Sequence, residues 1–563
     1  MAKTIGIGIQ NFEEIRTNDC FYIDKTELVK EWWESCDSTT LITRPRRFGK
    51  TLNMSMLETF FSVDYADRGD LFEGLFIWEE EKYRKLQGTY PVISLSFANV
   101  KENTFEGAKR GIYQILISLY EKFDFLMEEG LLKGTEAEYF NSVNMRMDEQ
   151  TAAQAIHKLC KFLHDYYGKK VIVLLDEYDT PMQEAYVHGY WDKLVSFTRS
   201  MFNSTFKTNP NLDRGIMTGI TRVSRESIFS DLNHLKVVTT TSDEYATAFG
   251  FTEEEVFTAL EDFGLAAEKE NVKFWYDGFV FGGYRDIYNP WSILNFLDTG
   301  KYITYWANTS ANSLVGKLIR EGNRKIKNSF EKLLRGEKIW CAIDEQIVYN
   351  RLGDNEEAVW SLLAASGYLK ILSYDREELI GDEDVMYELE LTNYEVKRMF
   401  RSLVRDWFKT AKADYNDFIE ALLDGNLKAM NAYMSRVILQ TFSYFDTGKG
   451  PLGDEPERFY HGFVLGLLVD LGGKYVITSN RESGLGRYDV MLEPKNKEDN
   501  AYILEFKTYD KDDEEGLQDT VQAALEQIEE KQYEAALIAK GIPAERIRKY
   551  GFAFEGKKVL IGC

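Results

Sequence analysis

The chain has 563 residues, too many for one hydrophobic core, and at roughly 150 residues per domain we expect three or four domains. Hydrophobic residues make up 44% and charged residues 28%, which excludes global disorder. The net charge of -24 disfavours a general affinity for nucleic acid, although a local basic surface stays compatible with it. Because no apolar run reaches the about 18 residues of a membrane helix and the N-terminal residues lack a signal-peptide pattern, we expect a cytoplasmic protein without a membrane partner.

The first 300 residues alternate short β-branched runs with helical stretches, as in a largely parallel sheet covered by helices. We predict strands at residues 39–44, 91–97, 170–176 and 214–221, with helical insertions between the second and the third. The third strand is apolar on both faces and is therefore expected inside the sheet.

The run LITRPRRFGKTLNMSML follows the pattern of a phosphate-binding loop except at its opening. Gly49 and Lys50 provide a helix N-terminus and a lysine for the β- and γ-phosphates, and Thr51 provides a hydroxyl for Mg²⁺. Arg44 stands where glycine opens the usual motif, and we expect the arginines of the loop to add charge-assisted contacts to phosphate. The predicted nucleotide-binding residues of the loop are Arg44, Pro45, Arg46, Arg47, Phe48, Gly49, Lys50 and Thr51.

The run VIVLLDEYDT ends a predicted strand in two carboxylates. Asp176 is suited to hold Mg²⁺ through water, and Glu177 to polarise the attacking water. This run and the Gly-Lys-Thr both lie at carboxyl ends of strands, where open α/β sheets bind ligands. Chance matches, an ordinary helix start and an ordinary strand exit, are the alternative.

A further predicted strand end offers candidates for sensing or neutralising the γ-phosphate. They are Thr218, Thr221, Arg222 and Arg225. For the two arginines, a surface or interdomain salt bridge is an equal alternative. We include Arg222 among the predicted nucleotide-binding residues.

With these motifs the chain resembles bacterial AAA-ATPase-like proteins, which are related to archaeal-type and STAND P-loop ATPases and carry a C-terminal nuclease-like domain. The matching stretches are FYIDKTELV, ITRPRRFGKTLNMSML, VIVLLDEYDTP, GITRVSRESIFSDLNHL and YDGFVFGGYRDIYNPWSIL. The resemblance implies that RPRRFGKT is the family's own variant of the loop and that residues 22–26 lie near the nucleotide. It also implies that Asp176 and Glu177 form the hydrolytic pair.

The middle of the chain, residues 291–445, is mainly helical but contains an alternating hairpin pattern in YLKILSYDREELIGDEDVMYELEL. This favours a winged-helix-like region, with a helical connector and β-ribbon as the alternative. Residues 446–456 are rich in Gly, Pro and Asp and predict a linker. The predicted fold class is α/β, with a P-loop domain at 1–290, this connector at 291–445, the linker, and a restriction-endonuclease-like α/β domain at 457–563.

The last domain has the order helix, strand, strand, strand, helix, strand, with the final strand at or next to residues 534–541. Alternation places Glu505 and Lys507 on one face of a strand, one strand and a turn after Asp489. Asp489 and Glu505 are candidate ligands for one or two Mg²⁺ ions beside a scissile phosphate, and Lys507 is a candidate to orient water or stabilise the developing charge.

These three residues form the PD-(D/E)XK nuclease pattern, for which a solvent-facing edge strand with a Glu and Lys pair is the alternative. The family resemblance extends to this domain through FYHGFVLGLL, SNRESGLGRYDVML and YILEFK. It adds Glu482, Gln527 and His461 as secondary candidates.

Together the two constellations predict an ATP-binding or ATP-hydrolysing module coupled to a Mg²⁺-dependent nuclease-like domain that acts on DNA. The alternative is a nucleotide-dependent switch whose last domain binds nucleic acid or a protein without cleaving it. We keep a homo-oligomer as an alternative to a monomer, because an arginine from a neighbouring subunit would complete an ATPase site. The predicted catalytic residues are Glu177, Asp489, Glu505 and Lys507, and the predicted Mg²⁺ ligands are Thr51, Asp176, Asp489 and Glu505.

Overall fold

The chain divides into two units, Met1–Arg398 and Met399–Cys563. The computed structural model describes residues 3–128, 130–222, 229, 232, 234–307, 315–316, 318–319, 324–344, 356–374, 385–409, 416–441, 464, 467–468, 471, 473–483, 486–510, 514–555 and 558–563. The predicted linker at 446–456, Arg225 and His461 lie outside the described residues. None of the helices in the described ranges has the length and hydropathy needed to cross a membrane.

A five-stranded parallel sheet forms the centre of the first unit. Its strands are β1 (Thr39–Thr43), β2 (Val92–Ser96), β3 (Val171–Asp176), β4 (Leu212–Gly219) and β5 (Leu235–Val238), in the order β2-β3-β4-β1-β5. The four predicted strands are confirmed, and β3 is buried along its whole length inside the sheet. The fifth strand was not predicted. Because β4 separates β1 from β3, the loop after β1 and the carboxylates after β3 lie at the same sheet edge with one strand between them.

The described helices between residues 3 and 300 come before, between and after these strands in the chain. They are α1 (Phe12–Thr17), α2 (Glu27–Glu34), α3 (Lys50–Phe61), α4 (Glu81–Arg84), α5 (Phe105–Glu121), α6 (Phe125–Glu128), α7 (Thr135–Ser142), α8 (Glu149–Tyr167), α9 (Thr180–His188), α10 (Trp191–Phe202), α11 (Glu253–Asp262), α12 (Lys269–Tyr276) and α13 (Pro290–Thr299). Helices α5 to α8 form the predicted insertion between β2 and β3. Their ends follow local capping rules: Asp148 accepts a hydrogen bond from the Thr151 N–H at the start of α8, and Gly168 ends that helix in a left-handed conformation.

Two small antiparallel sheets complete the first unit. One has the order β6-β8-β7 and the other β10-β11-β9; the strands are β6 (Phe251–Thr252), β7 (Phe279–Phe281), β8 (Tyr284–Tyr288), β9 (Ile339–Ala342), β10 (Leu369–Tyr374) and β11 (Met386–Leu391). The pairing of Leu369 with Leu391 confirms the predicted hairpin, whereas β9 was not predicted. The nearby helices are α14 (Arg324–Arg335), α15 (Glu356–Ala365) and α16 (Tyr394–Lys409).

The second unit contains a mixed sheet in the order β12-β13-β14-β15-β16, parallel only between β14 and β15. Its elements are α17 (Asn416–Asp424), α18 (Leu427–Thr441), β12 (Tyr475–Ser483), β13 (Gly486–Pro494), β14 (Ala501–Thr508), α19 (Leu517–Glu530), α20 (Ala535–Ala539), β15 (Ile547–Glu555) and β16 (Lys558–Gly562). The prediction of a strand at 534–541 itself is wrong. This Ala-rich run forms the short helix α20, since Ala and Leu are strong helix formers, and the strand follows at β15.

The sheet of the second unit has a core on each face. Leu504 and Phe506 pack with the residues of α17 and α18 on one face, whereas Ile503 packs with Ile528 of α19 on the other. By strand alternation Glu505 shares the face of Ile503, towards α19.

Candidate functional site

The loop between β1 and α3 encloses the ammonium group of Lys50. Gly49 precedes the helix at a φ of 81°, a left-handed conformation that glycine adopts without strain. The Lys50 ammonium donates to the carbonyls of Arg44 at 3.0 Å and Pro45 at 2.8 Å. Burial lowers the pKa of Lys50, and the nearby carboxylates of Glu177 and Asp176 oppose this shift. The lysine therefore lies inside the loop, next to the N-terminus of α3.

Asp176, at the end of β3, lies beside this helix start. Its carboxylate accepts hydrogen bonds from the Thr51 hydroxyl at 2.7 Å and from the Thr218 hydroxyl of β4. Burial raises the pKa of Asp176. The structure thus brings together the two predicted Mg²⁺ ligands of this unit.

Glu177, the predicted base, follows in a conformation that is uncommon for a non-glycine residue, with a φ of 50°. Its carboxylate accepts a hydrogen bond from the Thr180 hydroxyl at 2.9 Å. This hydrogen bond ties one oxygen of the half-buried carboxylate to the start of α9.

Arg44 lies in the interior of the first unit, where its side chain binds backbone carbonyls. The guanidinium donates to Thr239 at 2.6 Å and Glu244 at 3.2 Å, and it lies 4.7 Å from the centre of the Phe281 ring. The residue is 0% exposed, and burial lowers the pKa of the guanidinium. This placement favours a structural role for the Arg44 side chain over the phosphate contact that we predicted.

Two apolar side chains of the loop are also buried. Phe48 packs edge-on against Phe279 and Phe281, at centroid distances of 4.8 and 5.3 Å. The Pro45 ring lies against Gly367, where a Cβ atom would come within 2.8 Å of the proline Cγ. These two residues contribute packing, so a nucleotide contact from this part of the loop would come from its backbone.

The remaining arginines lie in three different environments. Arg46 donates to the Gln183 side chain at 3.1 Å, whereas Arg47 is exposed and stacks over the Trp291 ring at 4.3 Å. Arg222 lines a small cavity together with Thr43, Thr239 and Asp344, a group of residues that includes neither Lys50 nor Asp176.

Asp179 is a residue that the sequence analysis missed. Its carboxylate accepts from the backbone N–H groups of Ile220 at 3.0 Å and Thr221 at 2.9 Å, and from the Thr221 hydroxyl at 3.0 Å. It is fully buried, which raises its pKa. Asp179 therefore ties the turn of residues 176–180, between β3 and α9, to the end of β4; we refer to it as the carboxylate turn. Its position one residue before Thr180-Pro181, a typical helix start, was the available signal.

Residues 22–26 pack on α3 and on distant parts of the first unit. The Tyr22 hydroxyl lies 3.8 Å from the Met56 sulfur, and Lys25 forms a partly buried ion pair with Glu255 at 2.6 Å. Thr26 binds Asp24 at 2.7 Å and accepts the Ile77 N–H at 3.1 Å.

In the second unit, Asp489 and Glu505 meet where the pairing of β13 with β14 ends. The Asp489 N–H lies 3.3 Å from the Glu505 carboxylate, and the Phe506 N–H donates to the Asp489 carboxylate at 2.9 Å. Glu505 is 3% exposed, and Lys507 is half-buried two residues further along the strand. Two carboxylates and a lysine therefore lie on neighbouring strands.

Helix α19 adds an amide to this group. The Gln527 side chain donates to the Glu505 carboxylate and lies 3.2 Å from the Tyr533 hydroxyl. Burial raises the pKa of Tyr533. Gln527 was a secondary candidate, whereas Tyr533 was not predicted. The side chain of Glu482, like His461, lies outside the described residues.

The donor atoms of both sites fit Mg²⁺, which is commonly bound by one or two carboxylates together with water and substrate phosphates. Asp176 with Thr51, and Asp489 with Glu505, are such oxygen sets. Among the described residues there is no group of three or more His, Cys, Asp or Glu that could hold a metal ion.

The parallel sheet with its loop, lysine and strand-end carboxylates is consistent with the P-loop NTPase class, and the mixed sheet with Asp489, Glu505 and Lys507 is consistent with nuclease-like folds. Comparison with protein families agrees: residues 6–229 match the model described as a predicted AAA-ATPase, and residues 455–562 match the PD-(D/E)XK nuclease superfamily. The chain therefore combines an AAA-ATPase-like domain with a domain of the PD-(D/E)XK nuclease superfamily.

A protein of Azotobacter chroococcum mcd 1, named "Uncharacterized protein in vnfD 5'region", is similar to this chain. It is 24% identical over 398 residues, which cover 70% of this chain and 68% of that protein.

Proposed function

We propose that the first unit binds and hydrolyses ATP and that the second unit is a Mg²⁺-dependent nuclease acting on DNA, with the nucleotide controlling cleavage. The observation that carries this proposal is that predicted ligands lie next to each other within each unit. The Thr51 hydroxyl donates to the Asp176 carboxylate at 2.7 Å, and the backbone N–H of Asp489 lies 3.3 Å from the Glu505 carboxylate. The AAA-ATPase-like and nuclease superfamily matches support the same division.

In the first unit, Lys50 and the N–H groups at the start of α3 would bind phosphate, while Thr51 and Asp176 are the residues that would hold Mg²⁺. Bound Mg²⁺ supplies positive charge beside the phosphates. Glu177 is the proposed base that orients the attacking water. Arg46 and Arg47 remain our proposed source of additional positive charge.

In the second unit, Asp489 and Glu505 are the residues that would hold Mg²⁺ beside a scissile phosphate. Lys507, on the same face of β14 as Glu505, would stabilise the charge that develops on the phosphate oxygens. Gln527 donates to Glu505 and so fixes the orientation of that carboxylate.

The test is cleavage of single-stranded, double-stranded and structured DNA by the purified chain with Mg²⁺, with and without ATP, and with EDTA as the metal control. We expect Lys507→Ala to lower the cleavage rate about 100-fold or more, as for the loss of a group that stabilises transition-state charge. Lys558→Ala, whose exposed side chain pairs with Glu555, is the matched control and should cleave as wild type does. Equal cleavage by wild type and Lys507→Ala would remove the nuclease assignment.

The second candidate is a nucleotide-dependent switch that binds ATP but hydrolyses it slowly or not at all. Its last domain would bind nucleic acid or a protein without cleaving it. The hydrogen bond from Thr180 to the Glu177 carboxylate favours this candidate, because that bond holds one of the two carboxylate oxygens at the start of α9 and leaves only the other to act on water. Phosphate release by wild type and Glu177→Gln separates the two candidates. A hydrolase should lose most of its release in the variant, whereas equal release would exclude Glu177 as the base.

A further inference from the structure

A group of buried side chains outside the parallel sheet makes hydrogen bonds to the backbone of the loop between β1 and α3. The Arg46 carbonyl accepts hydrogen bonds from the Trp306 indole N–H at 2.9 Å and from the Asn289 amide at 3.3 Å. The two donors lie 260 and 243 residues away from Arg46 in the chain. Both are buried, with exposures of 4% and 1%. We refer to Asn289, Ser292, Trp306 and Glu395 as the clasp.

Glu395 fixes the backbone from which the indole projects. Its carboxyl group accepts the N–H groups of Trp306 at 2.7 Å and Ala307 at 3.3 Å, and the Ser292 hydroxyl at 2.8 Å. Glu395 is 0% exposed. A shift of Trp306 would therefore break buried hydrogen bonds, which is costly when the groups left behind cannot reach water.

The ring of Trp306 is also fixed, by packing against two aromatic rings. It lies edge-on to Phe279 at 5.3 Å and against Tyr368 at 5.4 Å between ring centres. Phe279 in turn packs on Phe48 of the loop. The indole N–H thus has a fixed direction towards the Arg46 carbonyl.

Arg46 also connects the clasp to the carboxylate turn. Its guanidinium donates to Gln183 at 3.1 Å, and the Gln183 amide donates to Asp179 at 3.2 Å. Because a trans peptide points its C=O and the following N–H in opposite directions, a fixed Arg46 carbonyl also fixes the N–H of Arg47. The clasp therefore determines where one of the loop's N–H groups points.

We propose that Trp306 and Glu395 are positioning residues for nucleotide binding: Glu395 holds the backbone at Trp306, and the Trp306 indole holds the Arg46 carbonyl. This inference rests on the proposed binding of nucleotide by residues 44–51. Neither side chain has to touch the nucleotide. Their effect is to keep the loop in its binding conformation before the ligand arrives, which lowers the free-energy cost of binding.

The test uses Trp306→Phe, which removes the indole N–H while keeping an aromatic ring between Phe279 and Tyr368. The matched control is Trp32→Phe, since the Trp32 indole is also buried in the first unit but has no hydrogen-bond acceptor among the described residues. We expect the Kd of the full chain for Mg²⁺-ADP, measured by titration calorimetry, to rise about two- to tenfold in Trp306→Phe, the effect of one neutral hydrogen bond. Trp32→Phe should keep the wild-type Kd.

A second pair of variants keeps the proposal falsifiable if Trp306→Phe is poorly folded. Glu395→Ala should weaken Mg²⁺-ADP binding, and Glu395→Gln, which retains an oxygen acceptor for the Trp306 N–H, should restore it. Thermal unfolding of each variant, with titrations performed well below its Tm, separates a binding effect from loss of fold. A wild-type Kd in both Trp306→Phe and Glu395→Ala would overturn the clasp alone. Absence of Mg²⁺-ADP binding by wild type would overturn the proposed nucleotide function and the clasp with it.

Discussion

Glu395 is a buried carboxyl group whose ionisation is unfavourable. Burial raises its pKa to about 7, and the hydrogen bonds from Ser292, Trp306 and Ala307 oppose that shift without cancelling it. Between the ordinary pKa of glutamate, about 4.3, and about 7, the native state therefore binds a proton that the unfolded chain has lost. The contribution of Glu395 to the free energy of unfolding of the first unit should therefore fall as the pH rises through this window and stay constant above it.

We expect Glu395→Gln to remove this contribution. The free energy of unfolding of the variant minus that of wild type should be larger at pH 8 than at pH 5. The increase should be at most on the order of 3 kcal/mol. Urea unfolding of the first unit at the two pH values measures the difference. Glu106→Gln, at an exposed position of α5, is the control and should follow wild type. An unchanged pH dependence in Glu395→Gln would show that Glu395 ionises in the native state as it does in the unfolded chain.

For single residues of the candidate site, the position of the loop could be predicted from sequence, whereas the role of the Arg44 side chain could not. The order of residues around Gly49 and Lys50 was sufficient to predict a phosphate-binding loop at the end of β1, because that motif is contiguous. The role of Arg44 depends instead on the carbonyls of Thr239 and Glu244, which lie 195 and 200 residues further along the chain. No local pattern around Arg44 contains those partners, so its burial could not be predicted.

At the scale of elements, Gly219 marks the close approach of β4 to the carboxylate turn. A Cβ atom at Gly219 would lie 2.7 Å from the Tyr178 ring and 2.8 Å from the Asp179 carboxylate. We expect Gly219→Ala to lower the free energy of unfolding by about 1–3 kcal/mol, as for overpacking in a filled core. Chemical denaturation of the first unit measures this change.

Gly111 provides the matched substitution in the same unit. It lies inside α5, and an added Cβ atom would meet only Val100, at 3.6 and 3.7 Å. Because alanine is a better helix former than glycine, Gly111→Ala should raise stability by up to about 1 kcal/mol. A stabilising Gly219→Ala would mean that the turn between β3 and α9 can move away from β4.

Elements could be predicted where their own residues decide the structure. The four predicted strands of the parallel sheet are apolar, β-branched runs, and β3 is buried on both faces. The strands β5 and β9 were missed although they contain β-branched or aromatic residues, because each is only four residues long and short apolar runs do not distinguish a strand from other structure. Residues 535–539 form a helix despite their apolar character, since short apolar runs do not distinguish helix from strand.

For the whole molecule, each predicted site is built largely within one unit, which explains why both could be found from sequence. The predicted site of Asp489, Glu505 and Lys507 comes from the adjacent strands β13 and β14, and the predicted nucleotide site comes from strand ends at one sheet edge. The clasp could not be found in this way, because its donors reach Arg46 from 243 and 260 residues away. Contiguous motifs predicted the two candidate sites, and only the folded chain revealed the residues that we propose to position the loop.

The same division into units predicts how a nucleotide changes the stability of the full chain. A ligand that binds only the native first unit should stabilise that unit alone, by about 2.7 kcal/mol at a free concentration 100 times its Kd. In scanning calorimetry, Mg²⁺-ADP should therefore raise the Tm of the transition that belongs to Met1–Arg398 and leave the transition of Met399–Cys563 in place. Lys50→Ala should abolish the shift, whereas Lys85→Ala, at an exposed position of the same unit, should retain it. An equal shift of both transitions, or a single transition that moves as a whole, would contradict this prediction. It would mean that the two units unfold together, so that nucleotide binding to the first unit also stabilises the second.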